Sequence, residues 1–301
     1  MKVFILQLSN GLAVGGIYAL IALGYTMVYG VMKLINFAHG ELFALGAFLG
    51  YTLLITFNLG GSLGPPLAIS VTIIMVMGLV ALAGHLLERV AYRPLRHSDR
   101  LAAVVSALGA SIFLQNAIML KWGAQYRAYS ADLLPNVVIH IGGQNVPLIR
   151  ILVFLTAVAV MGALYVFIHR TRLGMAIRAT AIDQGAAKLM GIDVRKVIAV
   201  VFIIGPALGG LAGLLVGLYY GQINFNMGQL YGLKAFTAAI IGGIGNIPGA
   251  MVGGLLLGLV EALGAAYISV AWKDALTFVV LILILIFRPT GLLSERVAEK
   301  L

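Results

Sequence analysis

The chain of 301 residues contains no cysteine. Disulfides, thiolate nucleophiles and thiolate metal ligands are therefore excluded. Charge is almost as scarce. Asp, Glu, Lys and Arg make up 10% of the residues, where a soluble domain carries roughly 25%. No Gly-Lys dipeptide occurs, so there is no Walker-type phosphate loop and the chain is not itself an ATPase. No His-Glu-x-x-His zinc motif occurs either. His39, His85, His97, His140 and His169 are scattered and read as surface or interfacial residues. No metal site is expected.

What fills the chain is apolar. Hydrophobic residues reach 61% and the mean hydropathy is +1.06. This marks an integral membrane protein. A β-barrel would show alternating segments of about ten residues; these runs are long and continuous, so the expected fold class is all-α. The 38 glycines fit a packed bundle, because small residues let membrane helices approach closely. The N-terminus has one lysine, Lys2, before a long apolar stretch, which reads as a first span rather than a cleaved signal peptide.

A span takes about 20 apolar residues. Spans are expected at 8–30, 41–57, 67–87, 102–121, 150–168, 197–219, 233–246, 249–268 and 275–287. The pieces at 233–246 and 275–287 are short, so eight or nine crossings fit, in a single transmembrane domain covering 1–301. Loop lysines and arginines set the orientation. Fourteen fall at one set of ends and six, Lys234 among them, at the other. That puts the 170–196 stretch and the C-terminus in the cytoplasm, and the N-terminus outside. The net charge of +10 is spread between spans and is no nucleic-acid signal. The longest outside loop is 123–149, where Val137–Leu148 reads as two short β segments around Gly142-Gly143.

Two segments resemble weak repeats, each a span, a polar break and a second span. One break holds Asn36 and Gly40. The other holds Gly242, Gly243, Gly245, Asn246, Pro248 and Gly249. Paired broken helices point to a pathway at the repeat interface; ordinary tight turns are the plainer reading. Among ionisable groups, Glu261 is the one clearly placed at membrane depth, either touching substrate or pairing within the bundle. His39 and Glu41 suit the headgroup level, and Lys234 can snorkel to the interface.

The stretch 170–196 carries Arg170, Arg172, Arg178, Lys188, Arg195 and Lys196 against Asp183 and Asp193. Asp183 suits an N-cap and Gly191 the position after a helix end, with about two turns between, over Gln184–Met190. So short a helix is marginal alone. Its low charge and its small and apolar residues Ala186, Ala187, Leu189 and Met190 suit a protein contact better than a solvated loop.

The segment AIDQGAAKLMGID, together with GYTMVYGVMKLINFAHGELFALGAF, ERVAYRPLR and AFTAAIIGGIGNIPGAMVGGLLLGLVE, resembles the branched-chain amino acid ABC importer permease family of the LivH type. The resemblance implies a permease that pairs with a second, LivM-type permease and with two cytosolic ABC ATPase subunits. An extracytoplasmic binding protein would deliver leucine, isoleucine or valine. The setting would be a bacterial inner (cytoplasmic) membrane, with ATP and magnesium used by the partner subunits and no cofactor on this chain. It implies an ATPase-coupling loop in which Asp183, Gln184, Ala186, Ala187, Met190 and Gly191 take part. Asn36, Phe37, Asn246 and Glu261 are the expected pathway residues. Relatives of the same type carry urea, short amides or other neutral amino acids. A passive channel and an ion-coupled secondary transporter are the competing classes.

Overall fold

The computed structural model describes residues 2–95, 99–129, 137–141 and 144–293. The expected Gly142-Gly143 turn, His97, Arg96, Arg296 and Lys300 lie outside them. Among the described residues, eight helices are long and apolar enough to cross a membrane. They are α1 (Lys2–Met32), α2 (His39–Tyr51, prolonged by a π turn to Thr56), α4 (Pro65–Leu87), α5 (Arg100–Trp122), α6 (Leu148–Arg170), α9 (Val194–Tyr220), α11 (Ile247–Tyr267) and α12 (Lys273–Phe287, preceded by a 3-10 turn from Val270). A ninth, α10 (Met227–Gly242), has 16 residues, about 24 Å of helix. It starts six residues before the expected 233–246 span. The short α3 (Leu59–Leu63) joins α2 to α4, and α7 (Arg172–Ile182) and α8 (Gln184–Leu189) fill the stretch between α6 and α9.

Two small antiparallel ladders lie at the other end of the bundle. β1 (Arg127–Ala128) pairs with β4 (Gln222–Ile223). β2 (Val138–Ile141) pairs with β3 (Gln144–Pro147), with Ile141 opposite Gln144. Tyr129 anchors this hairpin end by donating its hydroxyl to the Ala47 carbonyl at 2.6 Å.

Helices α1 and α9 form the centre, buried along most of their length. The outer helices α4, α5, α6 and α12 expose large apolar side chains, such as Ile74, Phe113, Val166 and Ile286. In a bilayer those positions face lipid or another membrane subunit. The centre is held by close backbone approach. Gly11 and Gly15 of α1 lie against Gly254 and Gly258 of α11, two small-xxx-small faces. Gly46 of α2 meets Gly210 of α9 in the same way.

The chain contains an inverted repeat. Helix α1 runs toward the basic end and α9 runs away from it, and each is followed by a break and a short helix. Residues 35–48 and 223–236 align without a gap, eight of fourteen positions being identical: Ile-Asn-Phe, then Gly, Leu, Leu and Ala-Phe. The first break therefore pairs with 221–226, not with 242–249 as expected. The latter is a tight turn between α10 and α11, closed by Gly243 and Gly245 at positive φ. Helix α2 begins deep in the bundle, since the His39 ring reaches the Ile21 carbonyl at the middle of α1 (3.2 Å). Its first turn crosses that of α10. A Cβ on Gly40 would overlap the Gly228 carbonyl, and one on Gly228 would lie 2.7 Å from the Gly40 carbonyl.

Packing on glycine gives a direct test. A Cβ on Gly258 would overlap the Gly15 backbone, whereas Gly162 has open space around it. Gly258→Leu should cost about 1–3 kcal/mol or more through overpacking, read as a lowered melting temperature in detergent. Gly162→Leu should melt like the parent.

Candidate functional site

Two parts of the molecule concentrate unusual chemistry. The first is the α7–α8 stretch. Thr171 caps α7 by accepting the Gly174 N–H at 3.0 Å. Asp183 caps α8 by accepting the N–H groups of Gly185 (2.7 Å) and Ala186 (3.0 Å). The Gly191 N–H closes on the Lys188 carbonyl and that of Ile192 on Ala187. This termination needs the positive φ of Gly191 (81°). Six residues are helical in place of the expected seven, Met190 being the C-cap.

Side-chain directions divide the residues expected to make contact. Ala187 is buried (4% exposed), and the Gln184 amide donates to the Val31 carbonyl at the end of α1 (2.7 Å). Both face the bundle, which corrects their assignment to a contact surface. A helix of under two turns that is docked on the bundle must turn one face inward. Asp183, Ala186, Met190 and Gly191 face outward. Leu189, expected among the apolar contacts, is 91% exposed beside Met190 at 82%, and sequence reasoning missed Ile182, which is 87% exposed. Three large exposed apolar side chains on a basic loop point to a contact beyond this chain. Their signal was an apolar residue at each end of α8.

The second part is the polar interior. Lys234 is not an interfacial snorkel. It is 2% exposed, and its Nζ lies 2.9 Å from Glu261 Oε1 and 2.6 Å from Asp274 Oδ1. Tyr18 donates its hydroxyl to Glu261 Oε2 at 2.6 Å, and Lys273 lies 3.7 Å from Oε1. Both oxygens of Glu261 are thus engaged. Glu261 is not the one buried ionisable group either, because His39, Glu41, Glu88 and Lys234 are also buried. Sequence alone could not place them, since burial depends on which helices close around the breaks.

At the first break, the Asn36 carbonyl oxygen accepts from the Tyr92 hydroxyl (2.8 Å) and the Ala38 N–H (3.1 Å), and Phe37 is half-buried beside it. Asn246 lies in the α10–α11 turn, where it accepts the Gly249 N–H (2.8 Å) and donates to the Leu293 carbonyl (2.7 Å). Structure thus brings Asn36 and Phe37 together, and leaves Glu261 in its ion-pair cluster and Asn246 in a turn. Gly60-x-Ser62-x-Gly64 has the letters of a nucleophile elbow. No strand leads into it, and Ser62 donates to the Asn58 carbonyl inside a short helix (3.1 Å), so it lacks the strand–turn–helix geometry of an elbow.

A multi-pass bundle with an inverted repeat, buried charges and a capped loop at one face has the build of a transport permease. Residues 7–285 match the family described as branched-chain amino acid transport system / permease component, and the chain belongs to that family. It is 45% identical over 300 residues to the high-affinity branched-chain amino acid transport system permease protein BraD of Pseudomonas aeruginosa, covering 99% of this chain and 98% of the relative. It is 42% identical over 300 residues to the corresponding protein LivH of Escherichia coli K12, covering 99% and 97%. The ribose import permease protein RbsC of Escherichia coli K12 is 27% identical over 265 residues, covering 85% and 76%. No solved structure matches.

Two predictions follow from these geometries. Lys234→Met removes the buried ammonium shared by Glu261 and Asp274, and losing one partner of a buried pair costs about 3–5 kcal/mol; thermal unfolding in detergent should show the loss. Asp193 caps α9 by accepting the N–H groups of Arg195 (3.1 Å) and Lys196 (3.2 Å). The Lys196 N–H, followed by the positive charge of Lys196, holds its carboxyl below the usual carboxylate range. A lowered pKa stabilises the fold above the unfolded-state value and loses that contribution as pH falls through the folded-state value. Melting temperatures of Asp193→Ala and the parent should therefore differ at neutral pH and converge in acid.

Proposed function

We propose that this chain is the membrane permease subunit of an ATP-driven importer of branched-chain amino acids. Family membership supports the transport role, and the branched-chain amino acid transport systems to which its 42–45% identical, full-length relatives belong support the substrate class. The observation that carries the ATP-driven reading is the α7–α8 tip, where Ile182, Leu189 and Met190 stand exposed on a capped scaffold fixed to α1. This patch suits a groove on a cytosolic ATPase, which supplies the nucleotide site. On this reading the basic end faces the cytoplasm and the hairpin end faces an extracytoplasmic binding protein. Two ATPase subunits and a second, related permease complete the assembly. The chain sits in the inner membrane, and the apolar outer helices meet lipid and that second permease. Asn36 and Phe37 border the pathway.

Affinity purification of the tagged chain should recover a second permease and ATPase subunits, and the reconstituted complex should take up radiolabelled leucine with ATP inside and binding protein outside. Excess unlabelled isoleucine or valine should compete, and ribose or urea should not. Ala186→Glu and Leu189→Asp should abolish stimulated ATP hydrolysis or ATPase recovery while the membrane fold persists. Normal stimulation in both variants would overturn the coupling assignment.

A further inference from the structure

Among the described residues, nine buried side-chain polar atoms lack a hydrogen-bond partner. Four of them belong to the two breaks: Asn36 Nδ2, His39 Nδ1 and Glu41 Oε2 on the first, and Asn224 Oδ1 on the second. Asn36 and His39 are fully buried and Glu41 is 3% exposed. Each such atom costs about 1–3 kcal/mol in a protein interior, so their presence where α2 and α10 pack backbone to backbone requires an explanation.

Their chemistry is selective. His39 Nε2 lies 3.2 Å from the Ile21 carbonyl, which only accepts, so Nε2 carries the proton and Nδ1 of the neutral ring is an acceptor. Glu41 Oε2 and Asn224 Oδ1 are acceptors as well. Asn36 Nδ2 is a donor, and it stands at the start of α2, where the helix dipole favours negative charge. Glu41 Oε2 lies against the first turn of α10, 2.5 Å from where a Cβ on Gly228 would sit. The repeat carries Gln229 at the position of Glu41 and Met227 at that of His39, so the acidic and imidazole groups come from one half only. A group with several N–H donors and one carboxylate would satisfy what these atoms lack.

We infer that the crossing of α2 over α10 is the central gate of the pathway, and that its unpartnered atoms receive the charged main-chain groups of a free amino acid as it passes. The ammonium group meets Glu41 and Asn224; the carboxylate meets Asn36 Nδ2. The apolar side chain lies among Tyr25, Phe43 and Tyr231, which surround the crossing. In this structure the gate is closed by glycine-to-glycine contact, so passage requires the two first turns to separate. The inference rests on the importer reading and names the substrate contacts within it.

The complete transporter, reconstituted with its binding protein, provides the test. Glu41→Gln keeps the shape of the side chain. It should lower leucine uptake about tenfold or more, the scale of one lost charged hydrogen bond, while the complex elutes intact and leucine-loaded binding protein still stimulates ATP hydrolysis. Because the chain has no cysteine, Glu41→Cys places a single thiol on it at the crossing. N-ethylmaleimide should label that thiol during ATP turnover and leave it unlabelled without ATP. The inference is overturned if Glu41→Gln transports leucine at the parent rate, or if labelling at 41 is the same with and without ATP. If the parent itself moves no leucine, the importer reading fails instead, and labelling at 41 still decides whether the crossing opens.

Discussion

Everything in this bundle depends on backbones that approach one another without intervening side chains. Lipid offers no hydrophobic drive for helices to associate, so close packing and internal polar contacts must do it. Glycine supplies the first at several interfaces, among them α1 on α11, α2 on α9, and α2 on α10. The same contacts make the breaks tolerable. A non-helical segment at membrane depth leaves backbone groups that lipid cannot satisfy, and it survives only when buried in protein. The first break meets that condition: Tyr92 reaches Asn36, and Tyr25 packs edge-on against His39 at 4.7 Å between centroids.

The interior charges follow the same logic with a different outcome. Lys234, Glu261, Asp274 and Tyr18 are joined by ion pairs and hydrogen bonds across α1, α10, α11 and α12. Such a cluster locks the register of four helices more than it adds net stability, because desolvation offsets much of the Coulomb attraction. The groups at the α2–α10 crossing have no such closure. Two sets of buried polar groups within one core thus have opposite character, one neutralised from within and one left open to an outside partner.

Much of this was legible in the sequence, for reasons that differ by element. Helix count and class follow from hydropathy, because a span must be long and apolar whatever it packs against. The caps of α8 were legible because Asp183 and Gly191 act within their own turn. Legibility ended where direction mattered. Ala186 and Ala187 are adjacent and alike, yet one is exposed and the other buried; only the docking of α8 decides which. Lys234 looked like the outer end of a span because α10 begins earlier, at Met227, in a polar run that hydropathy discounts. The repeat was sensed but given the wrong partner, since the glycine-rich α10–α11 turn imitates a break. The true partner, Ile223-Asn224-Phe225, was visible as letters, and its meaning came only once α2 and α10 were seen to cross.

The positions of these parts relative to one another carry a mechanical consequence. The Gln184 amide holds the Val31 carbonyl in the last turn of α1, and that turn leads directly into the first break and then into α2. Under the importer reading, a push on the α7–α8 tip has a short covalent and hydrogen-bonded route to the crossing, through one helix end and a six-residue link. A non-helical link absorbs dihedral change at low cost, whereas α1 itself, locked on α11 by glycine contacts, cannot move without unpacking the bundle. The displacement is therefore channelled into the break. A route of this kind requires α2 to be short and separately seated, and that is the feature in which α2 and α10 differ from the long central helices they follow.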